Sequence, residues 1–193
     1  MRRLLLIAAA ALVLAATTGE AAEKRIRLAA TAGGVTQNEI LDRGGYTAGG
    51  GVHLAYPVSD PGKPLGLELS IANWYNAVPA EDRTLHLLRI GFGIRVFLNT
   101  RTVVRPYFTH DICSHLVWVS DRPGYATGTG ILLGLGVDVP VRTTGAAGVG
   151  GSSSIFADLS VSSFRLAYFG EHHQSARFLA ASIGYSWLLR GGD

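Results

Sequence analysis

From His86 to Leu98 the side chains alternate: Leu88, Ile90, Phe92, Ile94, Val96 and Leu98 fall on one face, and Arg89, Gly91, Gly93 and Arg95 on the other. A period of two held over that length excludes a helix, whose apolar positions recur every three or four residues, and demands an extended strand with two chemically different faces. The same alternation returns in Thr102–Val119, where Val104, Pro106, Phe108, Ile112, Leu116 and Trp118 oppose Arg105, Tyr107, Thr109, Asp111, Cys113 and His115, with His110 interrupting the apolar side. It returns again in Gly128–Val141, with Leu133, Leu135, Val137, Val139 and Val141 against Gly134, Gly136 and Asp138, and in the last stretch, with Leu179, Ala181, Ile183, Tyr185, Trp187 and Leu189 against Ala180, Ser182, Gly184 and Ser186. Weaker versions carry Ile26, Leu28, Ala30 and Ala32, then Tyr46, Val52, Leu54 and Tyr56, then Leu65, Leu67, Leu69 and Ile71. In Ser153–Tyr168 the apolar phase passes from Ile155, Leu159 and Val161 to Phe164 and Leu166, which predicts a bulge near Ser163. The count is eight strands, an even number.

Which face is buried follows from what the other face is made of. A soluble β-domain covers its solvent face with Lys and Glu, yet lysine occurs only at Lys24 and Lys63, and the minority faces are built from Gly, Ser, Ala, Thr and single charges. Such side chains fit a narrow barrel lumen, which turns the apolar face toward lipid. Charged residues make up only 16% of the chain and glycines number 25, a composition too apolar for an ordinary secreted domain. With the amino terminus below, Tyr46, Tyr75 and Trp118 fall outward near the upper strand ends and Tyr56, Tyr185 and Trp187 outward near the lower ends, the two belts that a bilayer with two interfaces requires. Arg2 and Arg3 ahead of the apolar run Leu4–Ala16, with small residues at Gly19 and Ala21, predict a signal peptide over residues 1–21 and a barrel domain over 22–193. Cleavage there would lower the formal net charge from +3 to +2, since it removes two arginines and Glu20; so weak a balance predicts no nucleic-acid partner. Cys113, the only cysteine, cannot form an internal disulfide and is expected as lumen filling.

The Gly-Phe-Gly-Ile-Arg-Val-Phe strand at 91–97, the Asn99-Thr100-Arg101 turn, the Arg105-Pro106-Tyr107-Phe108 opening and the closing Gly184-Tyr185-Ser186-Trp187 strand resemble the eight-stranded outer-membrane β-barrels of OmpA/OmpX type. The resemblance covers the expected mature chain and corresponds to the barrel part alone, without a periplasmic domain. It implies an all-β, eight-stranded antiparallel up-and-down transmembrane β-barrel, monomeric, exported to the outer membrane of a Gram-negative-type envelope, with membrane lipid as its surroundings. One departure stands out: such barrels usually finish on an aromatic residue, whereas here Trp187 is followed by Leu188 to Asp193.

The residues able to carry chemistry are few. Arg25, Arg27, Glu68, Arg89, Arg95, Arg105, Asp111, Asp138 and Asp158 are predicted to point inward, with Arg165 ambiguous at the expected bulge. Buried ions are costly unless paired, so a charge network along the lumen is expected. A three-residue Asn99-Thr100-Arg101 turn would pair Leu98 with Thr102, setting Arg89 opposite Asp111 and Arg95 opposite Arg105. His173 and Ser175 have the His-x-Ser spacing found in lipid A deacylases of this architecture, but they fall in what reads as an exposed Gly170–Ser175 loop with no acid after Glu171 before Asp193. Adjacent His172 and His173 on extended chain point apart, which argues against a metal site. No cofactor is expected. The sequence thus favours a non-catalytic barrel with a membrane-structural or surface-interaction role and a lumen plugged by a charged network; the alternatives are a lipid A-modifying hydrolase and a soluble periplasmic lipocalin-like carrier.

Overall fold

The computed structural model describes residues 24–35, 45–58, 64–80, 83–120, 124–141, 153–168 and 172–189. The expected signal peptide, residues 59–63, 121–123, 142–152 and 169–171, and residues 190–193 lie outside the described residues. Eight strands, β1 (Lys24–Val35), β2 (Gly45–Pro57), β3 (Gly66–Ala80), β4 (Arg83–Phe97), β5 (Arg105–Val119), β6 (Ala126–Val141), β7 (Ser153–Tyr168) and β8 (His172–Leu189), form a closed barrel in chain order. Every neighbouring pair is antiparallel, and β1 closes on β8. We call the end where β1 starts and β8 stops the lower end.

The register fixes the shape. A walk from Arg25 to Ala55, Ser70, Gly93, Asp111, Leu132, Ser162 and Phe178, each paired with the next, returns to β1 at Val35, ten residues above the start. A stagger of ten over eight strands tilts them by roughly 41° to the barrel axis at ordinary strand spacing.

Alternation resolves into an inside and an outside. Leu28, Val52, Phe92, Ile112, Leu135, Leu159, Leu179 and Ile183 are exposed on the outer face, while Arg27, Glu68, Arg95, Asp138, Ser162 and Ser186 are buried within. Tyr46, Tyr75 and Trp187 are exposed on that outer face. An apolar exterior around a partly ionic interior inverts the order of a soluble domain.

Large rings fit this narrow interior because glycines face them. Trp74 lies opposite Gly51, Tyr107 opposite Gly136, Phe156 opposite Gly184 and Phe164 opposite Gly130, each a direct cross-strand pair. A Cβ built on Gly51 would come within 2.4 Å of the Trp74 ring, one on Gly136 within 2.4 Å of Tyr107, and one on Gly184 within 2.5 Å of Phe156. These positions hold glycine because the neighbouring ring occupies the space a side chain would need. At the start of β6, Gly124 has φ 116°, a conformation that residues with a Cβ rarely adopt.

Two expectations are corrected here. No bulge interrupts β7: its pairing with β6 and β8 runs unbroken, Phe164 is buried inside and Arg165 is exposed outside. The apparent change of phase arose because Phe164 is an apolar lumen residue. The β4–β5 turn is also longer than three residues. Leu98 N donates to Pro106 O at 2.9 Å, Asn99 Oδ1 accepts from Arg101 N at 3.0 Å, and residues 98–104 all lie outside the strands. Arg89 consequently sits opposite His115 and Asp111 opposite Gly93, so the expected Arg89–Asp111 pair does not form.

Candidate functional site

The lower lumen gathers charged side chains from β1, β3, β4, β5, β6 and β7. Arg27, fully buried, donates from Nη2 to Glu68 Oε2. Arg25 approaches the same carboxylate, with Nε 3.6 Å from Oε1, and its Nη1 lies 4.0 Å from Asp138 Oδ2. Glu68 is also the cross-strand partner of Arg95, which sets a third arginine beside the carboxylate that Arg25 and Arg27 approach. Burying that many cations requires compensation from neighbouring groups, and aromatic faces supply part of it. The Arg95 guanidinium lies 4.1 Å from the Tyr107 ring centroid and 5.6 Å from that of Phe156, and the Arg27 guanidinium lies 5.9 Å from that of Phe156. Arg95 Nε also donates to Thr109 Oγ1 at 3.3 Å.

The anions are tied in by hydroxyls. Tyr107 donates to Asp158 Oδ2 at 3.1 Å, and Ser154 donates to Asp138 Oδ1 while meeting Ser186 hydroxyl to hydroxyl. Arg105 stands opposite Asp138 across the β5–β6 pair. Arg95 faces Thr109 across the β4–β5 pair and Glu68 across the β3–β4 pair, so the expected Arg95–Arg105 opposition is replaced by a cation beside a carboxylate.

Above this layer the groups are more isolated. Arg89 lies 5.2 Å from the Trp74 ring centroid, His53 meets Trp74 edge-on at 4.5 Å, and Asn76 Nδ2 donates to Thr31 Oγ1 at 2.8 Å. His115 stacks on Phe164 at 4.0 Å, with its Nε2 3.3 Å from Ser162 Oγ. A serine and a histidine in reach could serve as nucleophile and base, but among the described residues His115 Nδ1 has no hydrogen-bond partner to orient the ring, and both residues are buried. Cys113 is a buried free thiol.

The upper lumen is apolar. Val35, Val78, Leu85, Leu87, Val117, Ala126, Phe164, Ala176, Phe178 and Ala180 pack into one buried cluster drawn from all the strands except β2. A smaller cluster of Phe97, Tyr107 and Phe156 lies within the charged layer.

Of the expected site residues, Glu68, Arg95, Arg105, Asp138 and Asp158 gather in the lower lumen, while Arg89 and Asp111 lie higher and apart. His173 and Ser175 lie in β8, which begins at His172, so the exposed-loop expectation is corrected. Ser175 is exposed on the outer face and its cross-strand partner is Arg165, a cation where a triad would need an acid. The sequence did not single out His53, Trp74 or Phe156. Each ring stands opposite a glycine or belongs to a residue of the inward parity, which is the signal that could have found it.

No protein-family model matches the chain, and no curated protein sequence matches it. Among solved structures the barrel is similar to Neisserial surface protein A, with a TM-score of 0.52 at 12% identity over 87% of this chain and 97% of that one. It is similar as well to Ail, the attachment invasion locus protein of Yersinia pestis, with a TM-score of 0.51 at 11% identity over 88% of this chain and 100% of that one. A second structure of Ail, in complex with the heparin analogue sucrose octasulfate, gives a TM-score of 0.50 at 12% identity over 86% and 99% of the two chains. With eight antiparallel strands closed in chain order and an apolar exterior, the chain has the fold of the small eight-stranded outer-membrane β-barrels.

Proposed function

We propose that this protein is a sealed outer-membrane barrel, exported by a signal peptide over residues 1–21, that acts through its surface and its place in the membrane and not through transport or catalysis. The observation that carries this reading is the lumen. Ion pairs, cation–ring contacts and hydroxyls crowd its lower end, and interlocking apolar side chains crowd its upper end. An ion crossing would have to part a network of buried charges and then enter an apolar layer, and each step costs several kcal/mol or more. Outer-membrane placement is supported by the exposed apolar belt, edged by Tyr46 above and Trp187 below. A surface role agrees with the fold likeness to Ail, one structure of which holds the heparin analogue sucrose octasulfate, and to Neisserial surface protein A.

The test is reconstitution of the purified barrel into planar bilayers and, in parallel, expression with analysis of lipid A. The expected result is a folded, heat-modifiable protein, no conductance steps and an unchanged lipid A mass profile. Ser175→Ala should leave both the profile and the stability unaltered, the latter within about 0.5 kcal/mol for an exposed side chain. Regular channel openings would overturn the sealed lumen, and a lipid A mass change abolished by Ser175→Ala would establish an enzyme.

A further inference from the structure

The outer face carries two cations where the apolar belt ends. Arg165 on β7 and Arg177 on β8 are both exposed on the outside of the barrel. The register sets Arg165 opposite Ser175 and Arg177 opposite Ser163, so the two arginines are diagonal neighbours. Such positions lie about 7–8 Å apart at the backbone, a span that two guanidiniums can close around one anion. On the other side Arg165 faces Thr129 of β6. One pair below, Val161 faces Leu179, both exposed and apolar.

The level of this patch in the membrane follows from the stagger. Ten residues of offset shared over eight strands place Arg165, Arg177, Tyr46 and His86 within about one residue rise of a common height. That height is the upper interfacial belt. A cation here costs far less than one at the bilayer midplane, and it stands level with lipid phosphates. An arginine pair flanked by hydroxyls, just above hydrocarbon-facing Val161 and Leu179, matches an amphiphile with an anionic head: the guanidiniums bind phosphate oxygens bidentately, and the acyl chain lies along the belt.

We propose that Arg165 and Arg177, with Thr129, Ser163 and Ser175 around them, form an interfacial site for a phosphorylated lipid headgroup in the leaflet at the upper end of the barrel. This rests on the membrane placement argued above. The test is to assemble the full barrel into phosphatidylcholine nanodiscs containing spin-labelled phosphatidic acid or spin-labelled phosphatidylcholine, and to compare the fraction of each probe immobilised at the protein. The wild type should prefer phosphatidic acid, and the preference should fall by roughly fivefold for each arginine neutralised, in Arg165→Gln, Arg177→Gln and the double variant. The double lysine variant should keep most of the preference, since an ammonium still attracts phosphate as a point charge. Arg101→Gln, in the lower β4–β5 turn, should leave it intact. Equal preference in the wild type and the folded glutamine variants, or no preference in the wild type, would overturn the site. Failure of the wild type to enter nanodiscs would instead overturn the membrane placement.

Discussion

The two ends of the lumen solve one packing problem in opposite ways. At the lower end, Arg25 and Arg27 meet Glu68, with Arg95 its cross-strand neighbour, and aromatic rings and hydroxyls complete their surroundings. At the upper end, Leu85, Leu87, Val117, Phe164 and Phe178 fill the same cross-section with hydrocarbon. The charged end draws its cohesion from a few directional contacts, each dependent on the others, whereas the apolar end draws it from many weak ones that add almost independently. A defect below should therefore spread through the network, and one above should stay local.

That contrast would break first at Glu68. Glu68→Gln keeps the shape but leaves Arg25 and Arg27 without their shared anion, and it should destabilise the barrel by about 3 to 5 kcal/mol. Urea unfolding in lipid vesicles, followed by the heat-modifiable gel shift, would measure it. A cost below 1 kcal/mol would mean that the charged layer holds little of the fold.

Phe178→Ala removes a fully buried ring from the apolar layer and should cost about 3 kcal/mol in the same assay. Combined with Glu68→Gln the two losses should add, because the residues belong to different layers; strong non-additivity would show the ends to be coupled. The smallest effect is expected at the boundary, where Thr31→Val deprives buried Asn76 of its acceptor, and about 1 to 2 kcal/mol should be lost.

Strand number and facing were legible because lipid outside and a narrow interior impose a period of two, visible at Leu88 to Leu98 and again at Leu133 to Val137. The apolar upper lumen was not. Leu85, Leu87 and Val117 are no different in type from outward residues, and only the pairing with neighbouring strands reveals which side they take. Phe164 misled for the same reason, since an inward phenylalanine in a strand with apolar residues outside imitates a change of phase. Of the lower lumen, the identities of the charges were readable and their pairing was not. Pairing depends on the length of the 98–104 turn, where a local hydrogen bond from Arg101 N to Asn99 Oδ1 shapes a longer loop than the three residues Asn99-Thr100-Arg101 suggest.

That turn governs the girth of the whole molecule. In a closed barrel the offsets of all eight pairs must sum to a single stagger, so no hairpin can slide alone. A three-residue turn would shift β5 against β4 by four residues, from the observed Leu88–Leu116 pairing to Leu88–Ile112. With every other pair kept, β8 would meet β1 with a stagger of six in place of ten. At ordinary strand spacing the backbone radius would shrink from roughly 8 Å to roughly 7 Å, and the cross-section by about a quarter. The arginines below and the phenylalanines above could not all remain inside so narrow a tube, and Tyr107 and Phe156 already use the space left by glycines. The contents of the lumen thus act as a gauge for its circumference, and a wrong turn at one hairpin would be rejected at a seam four strands away.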